Sequence, residues 1–304
     1  MVKKFEVEKD FNNTRFDRWF KNKVLDIPQG LIEKIIRKNQ VKVNGKKTKS
    51  SYRVQETDII EIFNIEKVKK TEKNLITQYV PSNTERDKYD DFIIENNENF
   101  IVINKPAGIA VQSGTKSFKN VVDTLRETKY FEDTKPFIVH RLDKETSGIL
   151  IVAKTREYAQ LFTSLFRIRK IHKIYLAVVY GEVSSELKIL EDDLVVFEKE
   201  RKIVQKATSY IKILKGSSDY SLLELRPITG RKHQLRKQLY NIGNSIIGDD
   251  KYYVKRGKDF IKSKNLMLHA YEIKFMINNV KYNFIADFNK EFKDFIDKKD
   301  LNIF

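Results

Sequence analysis

The chain has 304 residues, enough for one large domain and a small one, and 59 Lys and Arg against 42 acids give it a formal net charge of +17. Apolar residues at 40% and aromatics at 12% support a packed core and argue against global disorder, while the basic excess points to nucleic acid or an anionic membrane surface as partner. The absence of cysteine excludes disulfides, thiolate catalysis, iron–sulfur clusters and Cys-based zinc sites.

The opening MVKKFEVEKD lacks the apolar core of a signal peptide. No apolar run approaches the roughly 20 residues a membrane helix needs, and no basic amphipathic helix stands out. The expectation is a cytoplasmic protein without a membrane partner. Residues 1–66 read as a small module. Phe16, Trp19, Phe20 and Val24 recur at helical spacing. Pro28 opens a second helix carrying Leu31, Ile32, Ile35 and Ile36. Val41 and Val43 alternate with Lys42 before an Asn44-Gly45 turn, and a strand follows around Ile59–Ile62. Between Lys34 and Arg53 there are eight Lys or Arg and no acid. That run crosses a helix end, a strand and a turn, so it gathers charge on one region and favours phosphate binding over a merely solvated face.

Residues 67–90 are polar and nearly without apolar periodicity, and read as a linker. A second domain, 91–304, opens with Phe92-Ile93-Ile94, then Phe100–Ile103 and a Lys105-Pro106-Ala107-Gly108 turn. Helices are predicted at 119–128, 155–170, 231–242 and 290–298. Strands are predicted at 149–153, 174–180, 207–214, 220–226, 268–277 and 280–286. Strands outnumber helices and often adjoin, so the fold class is α+β with a largely antiparallel mixed sheet, preceded by the small α+β module.

Three segments of this domain join polar groups to an apolar scaffold. In His140-Arg141-Leu142-Asp143-Lys144-Glu145-Thr146-Ser147-Gly148, a carboxylate lies between two cations at the mouth of a buried strand. Nearby positive charge favours its ionised form, the state an anionic nucleophile needs. In Lys173-Ile174-Tyr175-Leu176-Ala177-Val178-Val179-Tyr180-Gly181, Tyr175 begins a strand behind a basic turn. In Thr229-Gly230-Arg231-Lys232-His233-Gln234-Leu235-Arg236, a helix opens with Arg231 and Arg236 in its first turns. Taken singly, each has a plainer reading: Asp143 as a turn carboxylate, Tyr175 as a half-buried strand tyrosine, Arg236 as a surface cation. His140, His172, His233 and His269 show no metal-site spacing, and Gly230 and Gly248 form no phosphate cradle.

Together these segments resemble the RluA family of pseudouridine synthases. HRLDxxTSG stands intact at 140–148, KxYxAxVxG at Lys173, Tyr175, Ala177, Val179 and Gly181, and TGRKHQLR at 229–236. Supporting matches are Asn104-Lys105-Pro106-Ala107-Gly108, Ile247-Gly248-Asp249 and Leu268-His269-Ala270. Residues 12–65 resemble the alpha-L RNA-binding module often attached to this family, through TRFDRWF, IRKNQVKVNGKK and ETDIIEI. Gly108–Gly114 is similar to the RluC branch, which modifies large-subunit ribosomal RNA. Gln238 departs from the family pattern, where many relatives have a histidine, and puts an RNA contact in doubt.

The resemblance implies an isomerase that converts uridine to pseudouridine without cofactor or metal. It implies Asp143, Tyr175 and Arg236 as catalytic residues. Asp143 would attack the anomeric carbon or remove a neighbouring sugar proton, with Arg236 as its counter-ion. Tyr175 would stack near the uracil and help remove a proton from carbon. Arg141, Arg231 and His233 would face RNA, and Arg15, Arg37, Lys38 and Lys47 would add phosphate contacts from the N-terminal module. The implied partner is RNA, ribosomal RNA first, acted on by a monomer. Two other readings stay open: a synthase acting on transfer RNA, and a non-catalytic RNA-binding ribosome-assembly factor.

Overall fold

The computed structural model describes residues 2–67, 79–113, 119–132, 134–198, 201–253 and 265–303. The chain divides into two units, Met1–Thr77 and Gln78–Phe304. In the first, β1 (Val2–Glu6), β2 (Thr14–Arg15), α1 (Phe16–Lys23) and α2 (Gln29–Arg37) precede β3 (Val41–Val43), β4 (Lys46–Lys47), β5 (Arg53–Val54) and β6 (Ile59–Phe63). Phe16, Trp19 and Phe20 fall on one face of α1, as their spacing predicts, and all are buried with Ile32 and Ile35 of α2 against Val41, Ile60 and Ile62. Asn44 and Gly45 both take positive φ, 48° and 74°, the turn that matches the twist of a two-residue hairpin. The sheet order is β1-β6-β3-β4. β1 was not predicted: four of its five residues are exposed, so it shows no alternation until it pairs with β6.

The expected linker is partly folded. Residues 68–78 lie outside the described residues. Beyond them, α3 (Asn83–Asp87) starts with a capping box in which Ser82 and Glu85 satisfy each other's backbone N–H groups. Tyr89 is buried among Ile101, Ile103 and Leu125. Polar composition hid this segment because its one long apolar anchor is a tyrosine.

The second unit continues with β7 (Ile93–Asn96), β8 (Phe100–Lys105), α4 (Val121–Arg126), β9 (Phe137–Ile138), β10 (Ser147–Ala153), α5 (Arg156–Arg167) and β11 (His172–Tyr180). Then come β12 (Ile189–Glu198), β13 (Arg201–Gly216), β14 (Tyr220–Pro227), α6 (Gln234–Asn241), β15 (Leu268–Ile277), β16 (Val280–Ile285) and α7 (Lys290–Lys298). The main sheet runs β12-β13-β14-β11-β15-β10-β8-β7, with β16 on β15 and β9 on β10. Pairing is antiparallel except for β10 with β15. All seven residues of β10 are buried, because both faces are covered. Leu150 and Val152 face α4, whereas Ile149 and Ile151 meet Phe162 of α5. Burying a side chain of that size contributes about 2–3 kcal/mol, so α5 is held chiefly by this face. Against β11, β14 and β15 pack Leu235 and Leu239 of α6 with Phe292 and Ile296 of α7. β12 had no predicted counterpart, since three consecutive acids, Glu191, Asp192 and Asp193, interrupt its apolar pattern.

Candidate active site

Asp143 sits in the turn between β9 and β10. Its carbonyl accepts the Thr146 N–H at 3.1 Å, and Leu142 beside it is buried in the core under α4. The buried Lys105 ends β8 and ties this turn down. Its ammonium donates to the carbonyls of Pro106 (2.7 Å), Ile109 (2.9 Å) and Lys144 (3.1 Å), while Gly108 N–H donates to Lys144 O at 2.9 Å. Burial pushes the Lys105 ammonium down to about 7, against the pull of Glu145 and Asp143. On the far side of the turn, Ser147 Oγ lies 2.9 Å from Nδ1 of the buried His269, whose Nε2 lies 3.1 Å from Ala286 O. Gly148, at φ 104°, faces the Ala270 backbone so closely that a Cβ would collide with it.

The Asp143 side chain is 28% exposed, and within 4 Å the only basic group among the described residues is His233, with Nε2 3.8 Å from Oδ1. Neither sequence neighbour pairs with it: Arg141 is exposed, and Lys144 lies 4.0 Å from Glu145. Arg236 is not its counter-ion either. From the first turn of α6, its Nε and Nη2 donate to Asp249 at 2.7 and 2.6 Å, with Asp250 at 3.4 Å. Both Arg236 and Asp249 are buried. Burial opposes the Arg236 charge, but Asp249 foremost, then Asp143 and Asp250, outweigh it and raise its pKa. Asp143 thus feels Arg236 through space while the guanidinium is bonded elsewhere.

Tyr175 lies on β11 at a bulge, opposite Leu225 and Ala270, and packs against the apolar residues on both sides of the site. Burial, with Asp143 adding, pushes its phenol well above the ordinary tyrosine value. The phenol is therefore protonated near neutral pH. The helix predicted from 231 begins at Gln234, because His233 takes a left-handed φ of 55°. Arg231 precedes it, exposed, with Nε donating to Lys206 O at 3.2 Å.

In the first unit, Arg15 is committed to Asp17 through bonds of 3.1 and 2.6 Å, and Gln29 donates to the same carboxylate at 2.9 Å. With Arg18 and Lys21 they line a pocket of about 310 Å³. Arg37, Lys38 and Lys47 are exposed.

Residues 99–241 match the family model described as RNA pseudouridylate synthase, and residues 14–60 match the S4 domain. The chain is 35% identical over 277 residues to ribosomal large subunit pseudouridine synthase C of Rickettsia conorii, covering 86% of this chain and 88% of that protein. It is 31% identical over 286 residues to the protein of the same name from Vibrio parahaemolyticus, covering 89% and 87%.

This chain belongs to the RNA pseudouridylate synthase family.

Its fold agrees: human RNA pseudouridylate synthase domain containing 4 superposes with a TM-score of 0.61 at 22% identity, over 72% of this chain and 97% of that one. Members of the family are isomerases that convert uridine to pseudouridine in RNA. No described helix is long and apolar enough to cross a membrane, and the described residues hold no cluster of His, Asp or Glu suited to a metal.

Three residues gain significance that motif reading missed. Asp249 is the true partner of Arg236, Lys105 anchors the Asp143 turn, and Tyr252 stacks on Arg236 with its ring centre 5.2 Å from the guanidinium. The first two stand inside the supporting matches, but nothing in the sequence says what they hold. The family departure at Gln238, which puts an RNA contact in doubt, lies in the core. Gln238 is buried, accepts from Ser209 Oγ at 2.7 Å and donates to Leu190 O and Ala207 O at 3.0 and 3.2 Å. It fastens α6 to β12 and β13.

Proposed function

We propose that this pseudouridine synthase acts on large-subunit ribosomal RNA, with Asp143 as the carboxylate that works on the ribose. The observation that carries the assignment of Asp143 is convergence. Tyr175 from β11, His233 from the turn before α6 and Arg236 from α6 all lie close enough to interact electrostatically with this one partly exposed carboxylate. The relatives that are similar along nearly the whole chain bear the name of the ribosomal large-subunit enzyme, which favours that RNA over transfer RNA.

The target base must leave its stack to reach Asp143, at a cost of a few kcal/mol. The exposed Arg141, two residues from Asp143, is suited to stack or pair with phosphate at the vacated position. The glycosidic bond to nitrogen breaks, the base turns against Tyr175, and a bond to carbon forms. A proton leaves that carbon and nitrogen gains one, so the reaction is balanced without redox change. Asp143 serves either by attacking the anomeric carbon or by removing the adjacent sugar proton. Arg236, fixed by Asp249, supplies a permanent positive field for the developing negative charge. The 1–66 module positions RNA through Arg37, Lys38 and Lys47, with Arg15 contributing less because it is already paired. Arg231 adds a phosphate contact beside the site. The protein works as a cytoplasmic monomer.

The test is pseudouridine mapping in large-subunit RNA and transfer RNA incubated with wild-type protein and Asp143→Asn. The reading requires new pseudouridine in the ribosomal RNA with wild type and none with the variant. Equal activity of the two proteins would remove Asp143 from the reaction.

A further inference from the structure

His233 was read from sequence as an RNA contact, and its surroundings point elsewhere. Its ring spans two groups: Nε2 faces Asp143 Oδ1 at 3.8 Å, and Nδ1 lies 3.0 Å from the Tyr252 hydroxyl. We propose that His233 is a positioning residue for Asp143, presenting Nε2–H to the carboxylate in the tautomer that the Tyr252 hydroxyl selects. The proposal rests on the assignment of Asp143 made above.

The tautomer follows from both ends of the ring. A neutral imidazole has one N–H and one acceptor nitrogen. With the N–H on Nδ1, the Nε2 lone pair would point at a carboxylate, which repels it. With the N–H on Nε2, the carboxylate gains a donor and Nδ1 accepts from the tyrosine hydroxyl. Burial, then Asp249 and Asp143, raise the Tyr252 pKa despite Arg236, so that hydroxyl keeps its proton to donate. The charged groups around the ring are Asp143, Arg236, Lys251 and Lys232. Burial and the three cations lower the His233 pKa, Asp143 alone opposing, so the imidazole is neutral near pH 7. A neutral donor orients the carboxylate without cancelling the charge it needs.

The support behind the ring is continuous. Asp249 holds Arg236 and also accepts the Tyr252 N–H at 2.8 Å. The Tyr252 ring lies edge-on to His233. His233 itself is held left-handed by its surroundings: Gln234 accepts the Arg231 N–H at 3.0 Å and the Thr229 hydroxyl at 2.7 Å, and donates to Ser209 Oγ. Asparagine or aspartate fills seven of the ten left-handed non-glycine positions among the described residues. An asparagine would suit the backbone at 233 equally well, but its shorter amide would not reach Asp143. The 3.8 Å separation exceeds a hydrogen bond, as catalytic contacts often do before substrate tightens them.

These facts give a discriminating set of variants. His233→Asn keeps the backbone preference and the Nδ1-like group but lacks the Nε2 donor. His233→Gln restores a donor near the Nε2 position. The expected result is a kcat for His233→Asn lower on the order of 100-fold, with RNA affinity and thermal midpoint unchanged. His233→Gln should recover to within about fivefold of wild type, and Tyr252→Phe should lose about fivefold in kcat, the size of one neutral hydrogen bond. The chain has only four histidines, so imidazole nitrogen NMR can read the tautomer directly, Nε2–H being expected at His233. A His233→Asn activity within about threefold of wild type, no rescue by Gln, or an Nδ1–H tautomer in wild type would each overturn the proposal. Asp143→Asn is assayed alongside. If it is fully active, the assignment beneath the proposal has failed. If it is inactive while His233→Asn is not, only the role of His233 has.

Discussion

The turn carrying Asp143 and the turn carrying Asp249 handle a carboxylate in opposite ways. Asp249 is buried and fully engaged, accepting from Arg236 twice and from the Lys251 and Tyr252 N–H groups. Asp143 is partly exposed and has no ion pair with Arg141, Lys144 or Arg236. A carboxylate saturated with donors is a structural post, whereas one left short of them can do chemistry. The cation nearest in sequence is not the cation that binds, and the aspartate that looks incidental is the one that orders the site.

The comparison breaks most sharply when each carboxylate is removed in turn. Asp143→Asn is expected to lower turnover at least about 10³-fold while moving stability by less than about 1 kcal/mol, read by single-turnover assay and urea denaturation. Asp249→Ala is expected to show the reverse emphasis, a stability loss of about 3–5 kcal/mol from the stranded Arg236. If Asp249→Ala instead unfolds no more easily than Asp143→Asn, the contrast between the two turns is wrong.

A smaller effect concerns the ends of the Asp143 turn, both held by neutral histidines, the half-buried His140 and the buried His269. His140 Nε2 accepts the Ile151 N–H at 2.8 Å, and His269 holds Ser147. Burial first, then Lys173, lowers His140 to about 3, and burial, against Ala286 and Asp287, lowers His269 to about 4. Both folded values lie below the unfolded value of about 6.5. Their stabilisation is therefore complete above pH 6.5 and is lost as pH falls toward 4. For His269 the loss is on the order of 3 kcal/mol at pH 4. Denaturation midpoints measured from pH 7 to 4 should fall accordingly, and His269→Gln should flatten the slope. The smallest expected effect is in the first unit. Replacing Arg37, Lys38 and Lys47 with Gln should reduce the salt dependence of RNA binding by about 0.7–0.9 per lost contact, whereas Arg15→Gln should change it less.

Much of this was legible in the chain. The strand at 268–277 and the helix at 290–298 lie where periodicity places them, because their patterns are set by burial of one face. The left-handed residue that delays α6 could not be read, since histidine carries no turn signal as strong as glycine's. The core position of Gln238 could not be read because a polar residue in a core is recognisable only with its partners, here Ser209, Leu190 and Ala207. The Arg236–Asp249 pairing was invisible for the same reason. Residue type announces that a charge exists, and the fold decides which opposite charge it meets.

The parallel contact of β10 with β15 has a consequence for synthesis. It joins Ser147 to His269 and Gly148 to Ala270, so the strand that follows Asp143, paired early with β8 on its other side, gains this second neighbour only after most of the chain has been made. Tyr175 depends on the same late strand, since Ala270 is its cross-strand partner. Non-local pairing of this kind folds slowly. A nascent chain still lacking β15 would hold the Asp143 turn through Lys105 and Gly108 but without the Ser147–His269 contact, so full activity should arise only after the C-terminal strands leave the ribosome that makes them.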